Sequence, residues 1–209
     1  MTSHRTRLFA FAPVRRFAAD QHGVSAVEFA ILLPLMLTLY FGGVELSDAV
    51  SADRKNTLVA HTVGDLVAAV SNVCTSATVC TSPISDVWNA DQWVGYPYAT
   101  AASAASPNPV TIVTSVCVDT TGRATVSWSQ SNDGNHSALA ANATINNLPT
   151  ALTTNTTGAS ISYIWGQSIY TYRPTMGYGI IGTIRMTDQF YLGARQSCSV
   201  TLDLGSKCC

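Results

Sequence analysis

Charge is scarce in this sequence: Asp, Glu, Lys and Arg together make up 11% of it, and the formal net charge is −1. A nucleic-acid-binding surface needs a basic patch or stripe, so no nucleic-acid partner is expected. Catalytic signatures are missing as well: there is no G-x-S-x-G, no H-E-x-x-H, no phosphate-cradling G-x-x-x-x-G-K-S/T loop and no C-x-x-C. The histidines, His4, His22, His61 and His136, are scattered, and the cysteine spacings fit no zinc pattern. Asp86, Asp91, Asp119, Asp133, Asp188 and Asp203 stand mostly far apart and read as solvated surface acids. With no catalytic set, no cofactor motif and no metal pattern, the sequence reads as a protein that acts through its surfaces rather than as an enzyme.

One long apolar run stands out against this background. From Phe29 to Val44 there is no charge, and Leu, Ile, Phe and Met dominate. About 16 helical residues cover about 24 Å, a little short of a bilayer core, and adding Val24 to Val27 reaches the usual span of about 20. That extension carries Glu28 to the level of the lipid headgroups, where an acid costs less than at the bilayer centre. Arg5, Arg7, Arg15 and Arg16 all precede the run, whereas Glu45, Asp48 and Asp53 follow it. By the positive-inside rule, the N-terminus stays in the cytoplasm and everything after Leu46 lies outside. A secretory signal peptide also has a basic start and an apolar core. Against that alternative, the run is too long, carries Glu28 near its start, and is followed by no Ala-x-Ala-like site.

The block Gly23-Val24-Ser25-Ala26-Val27-Glu28-Phe29, continuing as AILLPLML, resembles the cleavage region of type IV pilin-like proteins. It is similar in particular to the TadE-like pseudopilins of the tight-adherence (Tad) pilus, including the proline after the first apolar turn. Tyr170-Thr171-Tyr172-Arg173-Pro174, followed by Gly182-Thr183-Ile184-Arg185-Met186, resembles the strand–Pro–strand ending of the same family. The resemblance implies that a prepilin peptidase cuts between Gly23 and Val24. Glu28 would then be the fifth residue of the mature chain. Val24 would gain a free amine, and Glu28, one helical turn away, would neutralise it within the chain or on a neighbouring subunit. The family favours the second option, a register device for assembly with other pilin-like subunits, aided by Phe29. An uncleaved anchor with a hydrated Glu28 is the simpler alternative. Bulk filament subunits of such pili are very short, so a chain with a whole extra domain is expected to be a minor or assembly component.

Four segments follow: a basic leader at 1–23, a transmembrane helix at 24–46, an amphipathic continuation at 47–73 and a periplasmic β-rich domain at 74–209. Val59, Val63, Leu66, Val67, Val70 and Cys74 recur at spacings of three and four and predict one buried stripe. Asp53, Arg54, Asn56, His61 and Asp65 fall on the other faces. The two helical halves form one rod of about 50 residues, with bends expected at Pro34 and Gly42-Gly43. Ile84–Trp93 predicts a short helix, and Ser137–Ala141 one helical turn. Val110–Val118 and Ala124–Ser129 predict a hairpin. Ala159–Arg173 is the strongest strand, with a bulge expected at Gly166, and Ile184–Ala194 and Ser199–Leu204 complete the set. The fold class is α+β: a long N-terminal helix, half membrane-spanning and half amphipathic, packed on a mainly antiparallel sheet of about four or five strands.

All the cysteines, Cys74, Cys80, Cys117, Cys198, Cys208 and Cys209, lie beyond the apolar run, on the side expected to be oxidising. Their connectivity is open from sequence. A local Cys74–Cys80 bridge is plausible, and Cys117–Cys198 would join two predicted strands and leave the terminal pair unexplained.

The functional expectation is a structural pseudopilin of the bacterial inner membrane with a periplasmic head, in contact with lipid, pilin-like subunits, pilus-assembly proteins and a prepilin peptidase. It either enters the extracellular pilus or stays behind as an assembly platform. A membrane-anchored adhesin or glycan-binding module displaying Trp88, Trp93, Tyr96 and Tyr98 is the alternative; aromatics folded onto the core are the commoner outcome for such a loop. A thiol oxidoreductase using Cys208-Cys209 is the enzymatic rival, and adjacent cysteines are awkward geometry for it.

Overall fold

The computed structural model describes residues 23–76, 82–99, 107–134, 136–154, 158–176, 179, 182–203, 205 and 208. Its first helix, α1 (Val24–Ala68), runs without interruption through Pro34 and Gly42-Gly43. The chain divides into two units, Met1–Val44 and Glu45–Cys209. Among the described residues, the second unit holds the rest of α1 and all the strands: β1 (Asn72–Val73), α2 (Ile84–Gly95), β2 (Val110–Val118), β3 (Ala124–Ser131), α3 (Thr150–Thr153), β4 (Ile161–Tyr172), β5 (Ile184–Gly193) and β6 (Thr201–Leu202). Four strands form one antiparallel sheet in the order β3-β2-β4-β5, and β1 pairs with β6 in parallel as a separate ribbon. The class is α+β, as the hydrophobic patterns predict.

Alternation along β4 sets the layers. Ser162, Ile164, Ser168, Tyr170 and Tyr172 are buried on one face, while Ile161, Tyr163, Trp165, Gln167, Ile169 and Thr171 are only partly covered on the other. The buried face receives α1 in antiparallel fashion: Ala52 packs with Tyr170 and Tyr172, Asn56 meets Ser168, and Ala60 and Gly64 meet Gly166. Four helical residues advance about 6 Å and two strand residues about 6.6 Å, so the two periods stay in step over this stretch. Val59, Val63 and Val67 join Val113, Ile164, Val87 and Trp128 in the main core. On the other face a smaller cluster of Val116, Val118 and Ala124 is covered by Ile145 and Leu148.

Several expectations need correction. The helix stops at Ala68 rather than near Val73. Its last turn is met by the Arg195 amide donating to the Ala68 carbonyl at 2.9 Å, and Asn72-Val73 is captured by β6. Leu66, assigned to the buried stripe, is 41% exposed, whereas Asn56, assigned to a polar face, is buried. Asn56 is accommodated there by two bonds: its amide donates to the Ser168 carbonyl, and the Ser168 hydroxyl donates to its Oδ1 at 2.7 Å. Gly166 marks no bulge, since its pairing with Val113 and Phe190 is regular; the irregularity falls between Ser115 and Val116 on β2. Ser137–Ala141 forms no helical turn, because Asp133 holds Ser137 through its amide and hydroxyl.

Candidate functional site

The N-terminal block begins where the described chain begins. Gly23 precedes the helix, Val24 is its first residue, and Glu28 and Phe29 follow one turn later, so Val24 and Glu28 share a face. Residues 1–22, which hold nearly all of the expected leader, lie outside the described residues. Every residue from Gly23 to Val44 is exposed, with Phe29 at 62%, Ile31 at 71% and Leu39 at 68%. This stretch is long and apolar enough to cross a membrane, and none of its most apolar window is covered by protein. An uncovered face of this size is unstable in water and suits membrane anchoring. Helical bonding satisfies the backbone as lipid requires, and the Thr38 hydroxyl adds a bond to the Pro34 carbonyl at 2.8 Å.

At the far end of the run, Glu45 forms a polar clasp that sequence reading does not single out. Its carboxylate accepts from the Thr175 hydroxyl at 2.6 Å, the Met176 amide at 2.6 Å, the Tyr172 hydroxyl at 3.1 Å and the Thr175 amide at 3.3 Å. Donors on the segment leaving β4 thus converge on the first acid after the uncharged stretch. Burial, then the bond to Glu45 and its negative charge, pushes the Tyr172 phenol up to about 12. The sequence signal available was the acid's position; its partners lie more than 120 residues away.

Asp91 is a second surprise. Expected on the surface, it is 1% exposed, projecting from α2 toward the sheet. Its Oδ2 accepts from the Thr111 hydroxyl at 2.7 Å and the Asn132 amide at 3.0 Å, while Asn132 also bonds the Thr111 amide and the Pro109 carbonyl. Burial raises its pKa to about 6 against the pull of those two donors. The network is closed within the fold and reads as structural: it ties α2 to β2 and to the end of β3.

The described cysteines are oxidised. Cys117 is bonded to Cys208, with Cα atoms 5.6 Å apart, which replaces the expected Cys117–Cys198 pairing. After β6 the chain reverses at Asp203, in the left-handed region at φ 49, whose carboxylate holds the Thr75 amide and hydroxyl at 2.9 Å. Cys74 and Cys198 are disulfide-bonded too, and none of the described cysteines is free. Cys80 and Cys209 lie outside the described residues. With Cys208 committed to Cys117, the vicinal pair is not a dithiol.

The aromatic segment divides. Trp88 packs against the main core and Tyr98 sets its ring edge-on to Tyr170, with centroids 6.2 Å apart. Trp93 and Tyr96 are 83% and 72% exposed. Among the described residues, no group of His, Cys, Asp and Glu is placed to hold a metal ion.

Comparison with known proteins agrees with the N-terminal block. No curated protein and no solved structure matches the chain. One family model, described as TadE-like protein, matches residues 23–62. That range runs from the residue before α1 into the stripe that covers the sheet, and the family is one of structural components associated with the Tad pilus. It is over residues 23–62 that the chain is similar to the TadE-like family.

Proposed function

We propose that this protein is a minor pseudopilin or assembly component of a tight-adherence pilus, structural rather than catalytic. Residues 24–46 anchor it in the bacterial inner membrane with the N-terminus in the cytoplasm, and residues 74–209 form a periplasmic head on the amphipathic continuation at 47–73. Residues 1–23 are a leader removed by a prepilin peptidase between Gly23 and Val24. The observation that carries this reading is the bare apolar helix beginning at Val24 with Glu28 one turn in, under a TadE-like family match. The new Val24 amine and the Glu28 carboxylate of an adjacent subunit would attract strongly in lipid, where charges are poorly screened. N-terminal sequencing of protein isolated from membranes tests it: the reading expects Val24 first. A chain starting at Met1, or one cut after Gly42-Gly43, overturns the processing step.

A second reading, a membrane-anchored glycan-binding module, draws on the exposure of Trp93 and Tyr96. Replacing Trp93 with Ala separates the two: loss of binding to a glycan array with pilus assembly intact favours the second reading, and the reverse favours the first.

A further inference from the structure

The end of the sheet beside Glu45 carries a cleft of about 630 Å³ on its outer face. Thr171 on β4 and Arg185 on β5 are register partners, so their side chains share that face, and Arg173 follows two residues after Thr171. Both arginines line the cleft, with Asn108, Ser137 and Thr171 around them and Ile169 in its apolar part. Among the described residues the ion pair is Arg195–Asp65, so neither Arg173 nor Arg185 is paired with a described acid. The neighbouring acids are engaged elsewhere: Asp133 holds Ser131 and Ser137, and Glu45 holds Tyr172 and Thr175. Asn108 is fixed by reciprocal bonds to the Thr171 backbone at 2.8 and 3.0 Å, which gives the cleft a rigid wall. Two unpaired guanidinium groups with the Thr171 side chain beside them form a receptor for a phosphate group, whose oxygens match the planar fork.

Where this cleft sits decides the source of the phosphate. Tyr172, the residue between Thr171 and Arg173, bonds Glu45, and Glu45 directly follows the uncharged stretch ending at Val44. If that stretch lies in hydrocarbon, Glu45 lies at its edge. The strand end that touches Glu45 then lies in the headgroup layer. We propose that Arg173 and Arg185 bind the phosphate of an anionic phospholipid headgroup, seating the head on the membrane surface. The proposal rests on the anchoring reading above and holds whichever side of the membrane the head occupies.

The test uses the full chain in nanodiscs of phosphatidylcholine alone or with a third phosphatidylglycerol. Lipid retained on the protein is read by native mass spectrometry. Wild type should retain phosphatidylglycerol in preference to phosphatidylcholine. Arg173→Gln and Arg185→Gln should each weaken that preference about fivefold, and the double variant should abolish it. Arg123→Gln, at the β2–β3 turn, serves as the control and should change nothing. Unaltered melting temperatures report that the variants fold. Equal retention of both lipids by wild type, or full preference in the double variant, overturns the proposal while a carbonate-resistant chain leaves the anchor standing. A chain that washes out of the bilayer overturns both. Release of phosphatidylglycerol by millimolar inorganic phosphate assigns the cleft to free phosphate and overturns the lipid source.

Discussion

Gly64 and Gly166 meet where α1 lies on β4: a Cβ built on Gly166 would come within 3.2 Å of the Gly64 Cα and 2.7 Å of the Ala60 carbonyl oxygen. Backbone lies against backbone there, and no side chain can give way. The relation is asymmetric, because a Cβ on Gly64 meets nothing closer than the Leu192 Cδ1 at 3.5 Å, an ordinary contact. Gly166→Ala should therefore force helix and sheet apart and destabilise the fold by about 1–3 kcal/mol. Gly64→Ala should be neutral, or gain up to about 1 kcal/mol from helix propensity. Urea unfolding of both variants in detergent checks the contrast, and equal effects would show that the helix does not seat on Gly166.

That glycine shows why parts of the fold were legible and others were not. Alternation along Ile161–Tyr172 and the Val59-Val63-Val67 stripe are local signals, and each names its own buried face. Gly166 reads locally as a bulge, since the sequence does not say that another backbone arrives on top of it. Asn56 has the same character. Its partner Ser168 is 112 residues away, so a polar residue on a buried face looks like a misplaced one until the pair is seen. Glu45 and Asp91 were unreadable for that reason as well: acids default to solvent, and only folding supplies their donors. The TadE-like resemblance was legible because the residues that carry it follow one another in a single short stretch.

Cys117–Cys208 closes a loop of 91 residues and should contribute roughly 2–4 kcal/mol by restricting the unfolded chain. Replacing both residues with Ala should lower the denaturation midpoint accordingly without changing the sheet, as read by circular dichroism. Peptide mapping under non-reducing conditions checks the pairing directly. Recovery of Cys117 linked to Cys198 would restore the simpler sequence-based expectation.

Asp91 makes stability depend on pH with a definite sign. Its pKa is higher in the folded chain, about 6 against an ordinary 3.8, so the native state binds the proton more tightly. The associated stability, roughly 3 kcal/mol, is fully present below the unfolded value and is lost as pH rises through about 6. Asp91→Asn keeps an oxygen to accept from Thr111 and Asn132 but carries no charge. Relative to that variant, wild type should lose about 2–3 kcal/mol between about pH 4 and pH 7. Parallel unfolding curves for the two proteins over that range would mean that Asp91 is solvated after all.

Glu45 should hold the segment after β4 in place. With Glu45→Ala, the Thr175 and Met176 amides lose their carboxylate acceptor and should exchange hydrogen several-fold faster. Glu45→Gln retains one acceptor oxygen and should give an intermediate result, since a neutral acceptor binds N–H more weakly than a charged one. Amides in the middle of β4, paired on both sides, are the internal reference and should not respond. Unchanged exchange at Thr175 and Met176 would show that the clasp is not formed in solution.

Glu28 carries the assembly half of the proposed function. An acid at the first turn of an apolar helix opposes insertion to a modest degree, so Glu28→Ala should enter the membrane at least as well as wild type. What it should lose is recruitment into complexes with pilin-like subunits, because no carboxylate remains to meet a neighbour's Val24 amine. Glu28→Asp, one methylene shorter, should recover part of the recruitment if charge is what matters. Gly23 variants that block cleavage should reproduce the Glu28→Ala defect despite an intact acid, since an uncut chain offers no amine at Val24. Co-purification of a tagged neighbour measures both effects. A Glu28→Ala chain that recruits normally would leave the acid as a hydrated group at the lipid edge, with no partner on the next subunit.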